Sequence, residues 1–188
     1  MNDNFKKQIS NIEDLVEISD ILAESTELHE SISKYRKNPY DPEFSKDGHK
    51  VPINFNKKGD TIYLLGNYKE EDDDNSSVIE ILYDAIEKDM VTSAHPLHKA
   101  GLFCGLIEAC GVKKLGFDIT GDAEISDKEF LFNDGNISIL ISVSSDKEGK
   151  LVDFIFNNCI KLTLLGHVTK GELRMDDLSF GFIDDYLE

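Results

Sequence analysis

The residues best able to do chemistry cluster in one run, Ser93-Ala94-His95-Pro96-Leu97-His98-Lys99-Ala100-Gly101-Leu102-Phe103. A hydroxyl, two imidazoles and an ammonium group crowd a loop that runs into an apolar, helix-like stretch, where backbone N–H groups and the helix dipole favour an anion. Ser93, His95, His98, Lys99 and Gly101 therefore form a candidate anion-binding set. A zinc site built from His95, His98 and Cys104 lacks a fourth ligand. A Ser93–His95 nucleophile pair lacks an acid to orient the imidazole. The run is accordingly assigned no catalytic residue and no metal. The plainer reading also stands: His95 hydrogen-bonds within the loop, while His98 and Lys99 are solvated residues at a helix start.

The rest of the composition narrows the class of ligand and partner. Thirty-seven acidic residues against 20 basic ones give a formal charge of −17, which repels a nucleic-acid backbone. The acids gather at 69–75, 125–129 and 175–188 as solvated runs without the ligand spacing of an EF-hand. No apolar run reaches the roughly 20 residues needed to cross a bilayer, so no membrane partner is expected. The opening residues lack the apolar core of a secretion signal, and a cytoplasmic protein is expected. Cys104, Cys110 and Cys159 are odd in number, lie among apolar residues and lack CxxC spacing, which predicts reduced, packed thiols.

Periodicity gives the elements that must position the run. With 188 residues and 40% hydrophobic content, one main domain is expected. Ile9, Ile12, Leu15, Val16 and Ser19, continued by Ile18, Ile21, Leu22 and Leu28, recur at helical spacing. Residues 1–38 thus read as two helices or one broken helix, with an apolar stripe that must pack on the domain or on a second copy. Three prolines and a glycine make 37–52 a linker, which divides the chain into 1–50 and 51–188. Strands are predicted at 61–65, 115–120, 137–143, 161–166, 172–175 and 179–183. Helices are predicted from Ser77, at about 99–110 and from Ser145 to about Asn157. Ser77 with Glu80, and Ser145 with Glu148, have capping-box spacing, and Gly111 suits a helix C-terminal cap. Alternation places Ile62, Leu64, Ile139, Ile141, Leu162 and Leu164 in the core. Helices alternate with strands early and strands crowd together late. That order predicts an α+β domain, a mixed sheet with helices packed on one face, preceded by the N-terminal helical segment.

From residue 51 onward the chain resembles a known family. The collinear series "KKGDTIYLLG", "SAH…GLF", "LGFDITGDAEISDKEFLF", "ISVSSDKEGKLVDFI" and "LTLLGHVTKGELRMDD…FGFI" is similar to the C-terminal domain of phosphoribosylformylglycinamidine synthase, a domain shared with aminoimidazole ribonucleotide synthetase. The resemblance implies a purine-biosynthetic ligase that uses ATP, Mg²⁺ and glutamine-derived ammonia to convert a formylglycinamide ribonucleotide to its amidine. It also implies an active site shared with an N-terminal ATP-binding domain. Nothing in this chain is similar to that partner domain or to a glutaminase.

Within the resemblance, the two stretches that would hold ligands depart from the family form. That form is approximately S-A-H-D-V-S-D-G-G-L for the first. Ser93, Ala94, His95, Gly101 and Leu102 match it, whereas Pro96, His98, Lys99 and Ala100 replace an aspartate, a serine, a second aspartate and a glycine. The second form is L-F-G-E-x-Q-S/G-R, against which Asn133 replaces the glycine, Asp134 the glutamate and Ser138 the arginine. Carboxylates suit Mg²⁺ and an arginine fork suits phosphate, so these changes remove the groups a Mg–nucleotide needs. Asp134 keeps a shorter carboxylate and joins the candidate ligand set. The expectation is a detached, degenerate domain: a noncatalytic binding or regulatory module with no cofactor of its own. Its expected partner is a purine-pathway protein or a second copy of the chain. The alternative is the C-terminal subunit of a split, ATP-dependent synthase.

Overall fold

The run Thr61–Leu65 is buried at every position, as a strand must be when it has neighbours on both edges and cover on both faces. The structure, a computed structural model, describes residues 40–46, 48–66, 76–97, 101–132 and 138–187. The predicted N-terminal helices lie outside the described residues. Strands β1 (Tyr40–Lys46) and β2 (His49–Pro52) form an antiparallel hairpin. There follow β3 (Thr61–Leu65), α1 (Ser76–Glu87), β4 (Ser93–Pro96), α2 (Gly101–Gly111), β5 (Gly116–Ile119), α3 (Asp127–Phe132) and β6 (Ile139–Val143). The chain ends with α4 (Glu148–Asn157), β7 (Leu162–Thr169), β8 (Glu172–Met175), β9 (Leu178–Phe182) and α5 (Asp184–Leu187).

Seven strands form one sheet in the order β4-β6-β3-β7-β5-β8-β9. The β5–β8 pair is parallel and the others are antiparallel, so the sheet is mixed and the fold is α+β. Side-chain alternation divides the apolar residues into two cores. Ile62, Leu64, Leu140, Phe117 and Phe180 face α2, α3 and α5. Tyr63, Leu65, Ile139 and Ile141 face α1 and α4. Phe103 of α2 binds the first core together through edge contacts with Phe117 and Phe180, the latter at a ring separation of 5.2 Å. No helix among the described residues is long and apolar enough to cross a membrane.

Several expectations are corrected in detail. Helices lie on both sheet faces instead of one, because β3 and β6 present apolar side chains in both directions. Residues 40–52 carry the β1–β2 hairpin where a linker was expected. The ladder's register slips between Tyr40 and Ser45, the stretch that contains Pro42, which has no N–H to donate. Leu162 is half-buried, and Leu164 is 57% exposed, because α1 and α4 stop short of that part of β7. Cys104 and Cys110 are buried thiols, burial pushing the Cys110 pKa upward, but Cys159 is exposed in the turn after α4. Gly111 remains helical, and Lys114 takes the left-handed backbone that turns the chain into β5.

The capping box at Ser145 does not form. Lys147 occupies the cap position without a side-chain hydrogen bond, and α4 begins at Glu148. Glu148 is used differently: its carboxylate accepts the Tyr63 hydroxyl at 2.7 Å, anchoring α4 to the central strand. Burial, followed by the Glu148 bond and charge, pushes the Tyr63 pKa up to about 12.

Candidate functional site

The first third of the chemical run is a strand, where a loop was expected. β4 pairs with β6 in a register that sets Ser93 opposite Ser142 and His95 opposite Leu140. Alternation then sends Ala94 into the α1–α4 core while His95 turns toward α2. Pro96 closes this edge strand. Having no N–H, it leaves the next residue, Leu97, to donate to the Ser138 carbonyl at 3.0 Å.

His95 is 1% exposed and meets Glu108, 4% exposed, from the middle of α2. Its Nε2 lies 2.9 Å from Glu108 Oε2, and its Nδ1 lies 3.0 Å from the Ile53 carbonyl. A carbonyl can only accept, so Nδ1 carries a proton. One further proton lies between Nε2 and the carboxylate, which makes the unit either imidazolium–carboxylate or imidazole–carboxylic acid. Both forms are neutral overall, which is how two titratable groups fit beneath a helix whose eleven residues are all buried. The pair ties β4, α2 and the Ile53 segment together.

A second polar network lies beside it. Thr92 Oγ1 donates to Asp60 Oδ2 at 2.9 Å. Because a hydroxyl has one proton, Thr92 must accept from Ser142, 2.8 Å away, and Ser142 must accept from Ser93 at 2.5 Å. The result is a one-way chain, Ser93 to Ser142 to Thr92 to Asp60. Burial, the largest influence, raises the Asp60 pKa, and the Thr92 bond pulls it partly back. A raised value means the folded state holds the proton more tightly than the unfolded chain. The associated stability is full below the ordinary carboxylate range and is lost as pH rises through the raised value. Asp60→Asn keeps an acceptor for Thr92 and removes the charge. Its thermal midpoint relative to the parent is therefore expected to rise between pH 4 and pH 7, measured in parallel melts. A relative fall over that range would mean that the fold uses the carboxylate charge.

The structure brings Ser93 and His95 near each other on one face of the sheet but commits both to internal bonds. Gly101 begins α2 with φ +81, and a Cβ there would lie 2.7 Å from the Leu131 carbonyl oxygen and 2.8 Å from the Phe132 Cα. The glycine is thus required for contact between α2 and the end of α3. His98, Lys99 and Asp134 lie outside the described residues. Ser138 is fully buried. Among the described residues no three histidine, cysteine or acidic side chains are grouped to hold a metal ion. His95 and Glu108 face each other under α2, and Ser138 has no charge. Sequence reasoning missed Glu108, although a single carboxylate within the apolar helix "GLFCGLIEAC" signals a buried partner.

No family model matches the chain. The subunit PurL of phosphoribosylformylglycinamidine synthase from Leuconostoc mesenteroides is 28% identical over 130 residues, 57% of this chain and 17% of that protein. PurL from Carboxydothermus hydrogenoformans is 27% identical over 148 residues, 66% of this chain and 20% of that protein. The chain thus spans about a fifth or less of the length of these relatives. Among solved structures, PurL of Thermotoga maritima complexed with ATP covers 77% of this chain at 12% identity and a TM-score of 0.64, with 28% of that chain matched. The PurLQS structure from the same organism covers 70% of this chain and 26% of that chain at 13% identity and a TM-score of 0.60. These likenesses make the chain the bearer of a PurL-related domain with the fold of the aminoimidazole ribonucleotide synthetase group.

Proposed function

We propose that this PurL-related domain is a noncatalytic binding or regulatory module connected with purine biosynthesis, and that its fold has outlasted the ligand chemistry. The observation that carries the reading is how the motif divides. Each position that matches the family form has a use inside the fold. Ser93 feeds the hydroxyl chain, Ala94 and Leu102 are core residues, His95 pairs with Glu108, and Gly101 lets α2 meet α3. The positions that would supply Mg²⁺ or phosphate ligands carry Pro96, Lys99 and Ser138 instead. Packing explains what is kept, and nothing kept requires a nucleotide.

On this reading the chain is cytoplasmic, needs no cofactor and works through a protein partner, either a purine-pathway enzyme or a second copy. A second reading is the C-terminal subunit of a split, ATP-dependent synthase, which rests on the likeness to PurL. Calorimetric titration of the full chain distinguishes the two. A charge-assisted hydrogen bond to a buried phosphate is worth roughly 1.5–3 kcal/mol. Without three such bonds, affinity is weaker by roughly a thousandfold or more. Mg–ATP is therefore expected to show no saturation below millimolar concentration at neutral pH. Weak phosphate binding that depends on His98 and Lys99 is expected to fade above the imidazole range. Micromolar Mg–ATP affinity, abolished by Lys99→Ala, would favour the split enzyme.

A further inference from the structure

The sheet face covered by α1 and α4 continues past β3 without cover from a helix among the described residues. Register places Leu164 and His167 of β7, Asp118 of β5, Arg174 of β8 and Phe182 of β9 on that same face, in line with Tyr63 and Thr61 of β3. Leu164 is 57% and Phe182 54% exposed, and on α4, Phe156 is 79% and Val152 37% exposed. Val152 and Phe156 stand one helical turn apart, so the flank of α4 forms an apolar wall above an apolar floor. The floor also holds a polar group in need: Arg174 Nε is buried with no hydrogen-bond partner among the described residues.

We propose that this shelf is the seat of the chain's own N-terminal segment, residues 9–28. Three observations select that occupant. The described chain begins at Tyr40 in the β1–β2 hairpin, whose Val51 belongs to the α1–α4 core, so the hairpin from which the segment would extend lies on the shelf's own face of the sheet. Reach is sufficient. A 20-residue helix is about 30 Å long, and the 11 residues from 29 to 39 extend up to about 36 Å. From β4, beside which the hairpin packs, to β9 is six strand spacings, or about 29 Å.

Polarity is the third. At helical spacing Ile9, Ile12, Leu15, Val16 and Leu22 share one half of the segment, whereas Glu13, Asp14, Glu17, Asp20 and Glu24 share the other with Ile21 and Leu28. The stripe matches the apolar floor and wall. Glu13 and Asp20 border the stripe, where a carboxylate meets Arg174 as the segment settles.

The full chain carrying a photoreactive benzoyl-phenylalanine at the exposed position 164 tests the assignment. Irradiation is expected to give links to residues 9–28 of the same molecule, recovered at monomer mass and located by peptide mass spectrometry. Links between two copies, links confined to other segments, or no link would overturn it. An Ile12→Asp, Val16→Asp double variant is expected to abolish capture and raise binding of an apolar fluorescent dye at least threefold while circular dichroism keeps its sheet signal. Unchanged capture in that variant would also overturn the proposal.

Discussion

Glu108→Ala is expected to lower the stability of the domain by roughly 3–5 kcal/mol, because breaking a buried pair by removing one partner is strongly destabilising. For a chain of this size the thermal midpoint should fall by roughly 6–20 °C. The reason is the proton count at His95. With Nδ1 donating to Ile53, loss of Glu108 removes the carboxylate that Nε2 meets at 2.9 Å. His95→Ala is expected to cost a comparable amount, since it strands the Glu108 carboxylate and leaves the Ile53 carbonyl without its donor. The double variant, His95→Leu with Glu108→Leu, is expected to regain much of either loss, because an apolar pair of similar volume needs no compensation. Ile53 would still lack a donor, at a cost of about 1–3 kcal/mol, so recovery should be incomplete. Denaturant melts of the parent, the two alanine variants and their combination, His95→Ala with Glu108→Ala, give the coupling energy directly, with the leucine pair measured beside them. Additive single losses would show that the two side chains do not depend on each other.

The same pair shows why some of the molecule is legible in the sequence and some is not. β3 and the core of β6 follow from the runs "TIYLL" and "ILISV", whose residue types leave little alternative to a buried strand. α1 follows equally from one apolar face, Val78, Leu82, Ala85 and Ile86. Burial of Ile62, Leu64, Ile139 and Ile141 is likewise set by local pattern.

What depends on partners distant in the chain stays hidden. His95 and Glu108 are 13 positions apart, while Asp60 and Ser142 join only because β3, β4 and β6 assemble. Leu164 obeys the period-two rule of a strand, yet its exposure is decided by where α4 ends on the sheet. Local preference makes "SAHP" a loop, because proline and histidine are weak strand formers. Pairing with β6 overrides that preference at a sheet edge.

Gly101→Ala is expected to be the most damaging single-methyl change in the motif, at roughly 1–2 kcal/mol from the left-handed backbone alone. Overpacking adds roughly 1–3 kcal/mol. The second contribution is unavoidable here because the added Cβ meets the Leu131 carbonyl and the Phe132 Cα, which are backbone atoms that no rotamer change can withdraw. Either α3 moves off α2 or α2 starts later, and in both cases the packing of Phe103 against Phe132 is disturbed. Gly149→Ala is the control. Gly149 lies in α4 with no atom near its missing Cβ, so alanine should stabilise by about 0.5–1 kcal/mol. Denaturation midpoints of the two variants should therefore move in opposite directions. The comparison also bears on function: a large loss at Gly101 accounts for the glycine by packing alone. A fully stable Gly101→Ala protein with altered phosphate binding would instead mean that the glycine serves a ligand, and the noncatalytic reading would lose the division of the motif on which it rests.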